Sequence, residues 1–133
     1  GLEFKTESVT VTCTDALSKG NLVEFTLASA GYAACTKSTS AVNGTGVMMG
    51  IALEDVTAGS QGRIGVRGEF TATVDTEATA GAALGASADH AGNLDAAATG
   101  SKIVGVALEA SASDTSQTKI LFDGITGFAT ITA

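Results

Sequence analysis

Polar and apolar positions alternate with period two along much of this chain. Ser8-Val9-Thr10-Val11-Thr12-Cys13 is one such run and Asn21-Leu22-Val23-Glu24-Phe25-Thr26-Leu27 another; β-branched residues with this period predict half-buried strands. The same reading predicts strands at 47–53, 62–67, 69–75, 82–86, 103–109 and 117–123. Glycines stand between the runs, at Gly20, Gly31, Gly44, Gly59, Gly81, Gly92 and Gly124 among others, where reversals favour them. Proline is absent, so the turns rely on Gly, Asn, Asp and Ser; Asn43-Gly44 and Gly92-Asn93 are the tightest candidates. The Ala-rich stretch 78–99 is broken by Gly81, Gly85, Gly92 and Thr99 and predicts short strands and loop. A single helical turn fits near Asp15-Ala16-Leu17 or within 57–61. Short, regularly spaced strands predict an all-β fold, a small β-barrel or sandwich.

The pattern repeats. Met49-Gly50-Ile51-Ala52-Leu53-Glu54 returns 55 positions later as Val104-Gly105-Val106-Ala107-Leu108-Glu109. Downstream, Gln61, Arg63, Ile64, Val66 and Gly68 correspond to Gln117, Lys119, Ile120, Phe122 and Gly124. Upstream, Lys19 to Val23 lines up with Ala80 to Leu84, and Ala30-Gly31-Tyr32 with Ala91-Gly92-Asn93, at an offset of 61. The second copy is therefore shorter in the loop after Gly92. The organisation that follows is an N-terminal arm or strand at 1–17, a β-domain at 18–124 with copies at about 18–68 and 79–124, and a C-terminal tail at 125–133. That tail, Ile125 to Ala133, is apolar and β-prone. Left unpaired it would be an edge-strand hazard, so it is expected to pair with the N-terminal strand, a neighbouring subunit or a partner.

Composition narrows the function classes. The 133 residues fit one domain, or two small copies sharing one core. Hydrophobic residues make up 44% but aromatics only 5%, so the core is expected to be thin and to gain from burial against other subunits. The net charge is −7 and the basic residues are scattered, which argues against nucleic acid, whose phosphates need clustered Lys and Arg. Anionic lipid would be repelled for the same reason. No apolar run approaches the roughly 18–20 residues of a spanning helix, and Gly1-Leu2-Glu3-Phe4-Lys5 lacks the parts of a signal peptide. Cys13 and Cys35 read as two buried thiols, with one disulfide as the alternative.

Candidate chemistry is sparse. His90, the sole histidine, follows Asp89 at an expected hairpin tip and reads as a solvated loop residue. Neighbours along a strand point to opposite faces, which weakens an acid–base reading of Asp89-His90, and no Gly-x-Ser-x-Gly elbow occurs. Glu54-Asp55 and the matching Glu109 resemble the paired carboxylates of glycoside hydrolysis. Their equivalence in the repeat favours a shared structural job instead: accepting backbone hydrogen bonds in a turn, or pairing with Arg63 and Lys119. Gly62 to Gly68 is glycine-rich but matches no phosphate-binding loop; its Arg63 and Arg67 make it a strand with a basic face. Asn43-Gly44-Thr45 matches the glycosylation tripeptide and reads as a polar loop.

In the order of these blocks the chain resembles the phage capsid decoration, or cement, proteins. The resemblance is carried by Lys19-Gly20-Asn21-Leu22-Val23, the Gly50 to Gly68 block, Glu69-Phe70, the second block at Gly105 to Glu109, and Lys119-Ile120-Leu121-Phe122. It covers about 18–124; the loop at 36–46 and the C-terminal extension depart from the pattern. The resemblance implies a compact β-barrel or sandwich on the capsid exterior of a virion, a homotrimer at three-fold or quasi-three-fold positions, the major capsid protein as partner, and neither cofactor nor reaction.

The expected function is thus structural: bridging capsomers, with avidity from a symmetric assembly. The alternative is a β-rich adhesin-like or carbohydrate-binding module displayed on a virion or cell. Its sugar platforms would need aromatics, of which Tyr is represented once and Trp not at all. An enzyme ranks behind both, and no catalytic, cofactor or metal residue is assigned. The capsid-contact candidates are Phe4, Val9 and Val11, on an arm able to add a strand to a shell protein's edge; completing the chain's own sheet is the other role for the same segment.

Overall fold

The computed structural model describes residues 5–28, 31–38, 48–75, 78–87, 89–97, 102–112, 116–125 and 129–130. These carry eleven strands and no helix: β1 (Glu7–Cys13), β2 (Leu22–Ala28), β3 (Gly31–Lys37), β4 (Met49–Ala52), β5 (Gln61–Val74), β6 (Ala83–Ala86), β7 (Leu94–Ala96), β8 (Lys102–Ile103), β9 (Gly105–Ala107), β10 (Ser116–Asp123) and β11 (Ala129–Thr130). The all-β expectation holds. Strands β1-β3-β2-β4-β5 form a ring that closes when β5 pairs with β1. A second ring runs β5-β10-β9-β6-β7 and closes on β5 again through Val74 and Leu94. The architecture is a five-stranded closed barrel extended by a second ring of the same kind, with β5 common to both.

The repeat explains this arrangement ladder by ladder. Leu22 pairs with Ile51 in the first ring as Ala83 pairs with Val106 in the second. Ala52 faces Ile64 as Ala107 faces Ile120, and Thr12 faces Gln61 as Thr73 faces Gln117. The parallel seam repeats too: Cys13 with Cys35, Val74 with Leu94. Thus the second half of β5 does for the second copy what β1 does for the first. The ladders correct one alignment. Val23 pairs with Lys37 and Leu84 with Ala96, so Gly31 is not the counterpart of Gly92, and the β2–β3 hairpin is longer than its β6–β7 equivalent.

One long strand can serve two rings because it bends between them. Arg67 is paired with Glu7 of β1 on one side and Asp123 of β10 on the other. Gly68 follows at φ +125°, where a Cβ would meet the Lys5 carbonyl at 2.7 Å and Thr6 Cα at 2.8 Å; only glycine fits both the dihedral and the space. Gly65 leaves room for the Phe70 ring, whose Cζ lies 2.5 Å from where a Cβ would stand. Phe70 in turn meets Phe122 edge-on at 6.4 Å. The separate strands expected at 62–67 and 69–75 are therefore one strand.

Buried side chains form two clusters rather than one shared core. Cys13, Leu17, Val23, Phe25, Cys35, Ala52, Val56, Ile64 and Val66 fill the first ring. Phe70, Ala72, Val74, Leu84, Leu94, Val104, Ile120 and Phe122 fill the second, joined there by Leu22, Met49 and Ile51 of the first copy. Alternation along β2 sends Val23 and Phe25 to one cluster and Leu22 to the other. Strand β4 is buried throughout, which is why its sequence is a continuous apolar run. Backbone bonds stitch the copies together, among them Leu22 N–H to the Gly92 carbonyl (2.6 Å), Gly92 N–H to Ser38 (2.7 Å) and Met49 N–H to Gly124 (2.8 Å).

Strand β3 escapes the alternation because Gly and Ala dilute it. The helical turns near 15–17 and within 57–61 do not form; Leu17 instead bridges Val56. The 78–99 stretch is short strand and loop over its described residues, as expected. Asn43-Gly44 lies outside the described residues. In the tail, Ala129 and Thr130 pair with β8 of the same chain, not with the N-terminal strand.

Candidate functional site

The contact candidates lie on β1. Phe4 is outside the described residues. Val9 is 39% exposed and Val11 half-buried, opposite Ile64 and Gly62 of β5. Residues 5–10 are exposed at every position, so both faces of this half of β1 meet solvent. On the side away from β5, β1 meets β3 only at Thr12 and Cys13. Among the described residues, Glu7 to Val11 thus present an open backbone edge, with Val9 as its exposed apolar side chain. An open edge is a template for another strand. Glu7 is held by Arg67 (3.6 Å), which also reaches Asp123 (3.5 Å); such exposed pairs contribute little stability and mainly fix the direction of side chains.

Among the described residues stands a dense polar cluster that the sequence did not reveal. Asp75, 4% exposed, directly follows β5. It accepts the Ser87 hydroxyl at 2.6 Å and the Asn93 amide at 3.1 Å, and its carboxylate lies 2.7 Å from His90 Nδ1. Burial pushes the carboxyl up, but the hydrogen bonds from Ser87, His90 and Asn93 and the charge of His90 outweigh it and hold it below the usual range. Ser87 Oγ also accepts the N–H groups of Asp89 and His90 at 3.2 Å each, shaping the turn. His90 is a loop residue as expected, its side chain 63% exposed, yet it is tethered to a buried acid.

This is not a hydrolytic triad. Nucleophile activation requires the serine hydroxyl to donate to histidine; here the hydroxyl donates to the carboxylate. The cluster instead ties the β6–β7 hairpin to the end of β5, and the same hairpin reaches the first copy through Gly92. Carboxylate oxygens of Asp75, Asp89 and Asp95 come within 4.8 Å of one another, but Asp75 already serves three side chains. The position equivalent to Asp75 in the first copy is Thr14, whose N–H bonds Cys35 as that of Asp75 bonds Leu94. The repeat therefore concealed the cluster; the one local signal was a Ser placed to bond the next turn's N–H groups.

Glu54 and Glu109 repeat each other's role. Glu54 accepts the N–H of Arg63 at 3.0 Å and Glu109 that of Lys119 at 2.9 Å. Each closes the turn between two strands of its ring, the structural job anticipated from the repeat. Cys13 and Cys35 are buried free thiols with Sγ atoms 3.6 Å apart.

Fold and site together describe a double β-barrel whose polar clusters organise turns and whose distinctive exposed feature is a strand edge. No family model matches the sequence, and no curated protein matches it. Among solved structures the chain is similar to the N base of the head fibre gp8.5 of bacteriophage phi29. The two are 15% identical with a TM-score of 0.62, over 94% of this chain and 99% of that one. The likeness is one of fold.

Proposed function

We propose that this chain is a structural component of a phage head, a decoration (cement) protein that seats on the capsid exterior and bridges capsomers of the major capsid protein. The observation that carries the reading is the fold shared, end to end, with a phage head-fibre base. The sequence resemblance to decoration proteins points the same way. Both carboxylates weighed for catalysis, Glu54 and Glu109, hold backbone turns, which supports a structural rather than a catalytic role. The contact is assigned to β1 around Val9 and Val11, with Phe4 preceding it, a shell-protein strand adding to the open edge. A homotrimer at three-fold or quasi-three-fold positions would repeat that contact and multiply a modest interface by avidity.

The test has two parts. Mass spectrometry of particles purified from the source of the chain is expected to find it in capsomer-like stoichiometry; its absence would sink the reading. Val9→Asp places a charge at an exposed edge position and is expected to leave the fold intact, changing stability by under about 0.5 kcal/mol. The same variant is expected to abolish binding to expanded capsids. Unchanged binding would move the contact away from β1. A chain present on particles that binds cells or glycans and not capsids would favour an adhesin-like module.

A further inference from the structure

Cys13 and Cys35 have no part in the capsid reading. They face each other in the parallel β1–β3 pair. Both are fully buried, and their sulfurs are 3.6 Å apart. Neighbouring strands lie about 4.8 Å apart, inside the roughly 4.4–6.8 Å Cα separation that a disulfide accepts. The backbone thus already holds both residues at bonding range, and side-chain rotation completes the approach. The equivalent slot in the second ring holds Val74 and Leu94, so packing of the seam does not by itself call for thiols.

We propose that Cys13 and Cys35 are a latent disulfide site, which closes on contact with a low-molecular-weight disulfide such as oxidised glutathione and staples the β1–β3 seam of the first ring. That seam is the short one: β1 meets β3 at Thr12 and Cys13 and nowhere else in the described residues, whereas it pairs with β5 from Glu7 to Thr12. A covalent bond there fixes the strand that carries the open edge, whatever that edge binds.

The chemistry is two successive exchanges. One cysteine thiolate attacks oxidised glutathione, forming a mixed disulfide and releasing glutathione thiolate. The other then attacks the protein sulfur of that mixed disulfide, forming the Cys13–Cys35 bond and releasing the second glutathione. Two protein thiols are oxidised, one glutathione disulfide is reduced to two glutathiones, and the cysteine protons pass to the departing thiolates. Burial, then the hydrogen bond and charge of Cys13 and the charge of Asp15, push the Cys35 thiol up to about 12. The closed barrel therefore reacts slowly, and exchange runs through openings of β1, whose first residues are exposed.

The experiment incubates the full chain with oxidised glutathione at mildly alkaline pH. Intact mass, thiol alkylation in denaturant and peptide mapping follow, with thermal unfolding of the same samples. The expected product has lost the mass of two hydrogens, carries a Cys13–Cys35 cross-link, and unfolds about 5–10 °C higher, reverting with reductant. Persistent free thiols after incubation near the unfolding midpoint overturn the proposal. So does a stable glutathione adduct, a cross-link between chains, or a cross-link that leaves the midpoint unchanged or lower. The double variant Cys13→Val/Cys35→Leu, copying the second ring's seam, is expected to lose the oxidant-dependent shift. Should it not fold, the wild-type readouts decide alone.

Discussion

Replacing Asp75 by Asn is expected to lower the stability of the protein by about 2–4 kcal/mol at neutral pH. The carboxylate receives Ser87 Oγ at 2.6 Å, His90 Nδ1 at 2.7 Å and Asn93 Nδ2 at 3.1 Å, and hydrogen bonds to a charged group contribute roughly 1.5–3 kcal/mol each. Ser87 and His90 share Oδ2 while Asn93 uses Oδ1, so the amide oxygen serves one side and the NH2 makes a donor–donor contact on the other. The His90 share is discounted, since its ring is 63% exposed and water screens it. Ser87 and Asn93 are both buried, so whichever of them faces the NH2 is left unsatisfied and carries most of the cost. The pH dependence has a definite sign. Asp75 is held below its unfolded value of about 3.9. Its contribution is therefore complete above that value and is lost as pH falls through the lower folded one. Urea titrations followed by circular dichroism should show a gap between wild type and Asp75→Asn at neutral pH that narrows below about pH 4. A gap under about 1 kcal/mol at neutral pH would refute the reasoning. A gap that stays the same down to about pH 2.5 would refute it equally.

Gly65→Ala drives a methyl into the Phe70 ring and is expected to cost about 1–3 kcal/mol by overpacking, read as a drop in thermal midpoint; a neutral result would mean the ring moves freely. Glu54→Ala and Glu109→Ala each remove one exposed turn bond and should cost a similar amount, about 0.5–1.5 kcal/mol, in urea titrations; a large difference would break the equivalence of the two rings. The raised Cys35 thiol predicts stability that declines as pH rises above about 8.5, where the unfolded thiol ionises and the folded one keeps its proton. A Cys35→Ala variant should show a shallower alkaline decline, and an identical slope would refute the assignment.

The residues alone determined the local grammar of this protein. Period-two alternation marked β1, β2 and β10, glycines marked the reversals, and the repeat made Glu54 and Glu109 equivalent before any contact was seen, because side-chain direction and turn dihedrals depend on neighbours in sequence. Where alternation fails, the reading fails with it. Ala and Gly blurred the bounds of β3 around Cys35, and nothing local distinguished Gly68 as a bend within one strand from a turn between two. Tertiary structure alone decided that β5 belongs to both rings, that Asp75 gathers Ser87, His90 and Asn93, and that Cys13 faces Cys35. Each of these depends on register between strands distant in sequence, set by which faces must be buried together. A period of two tells which side of a strand is apolar but not which strand will cover it.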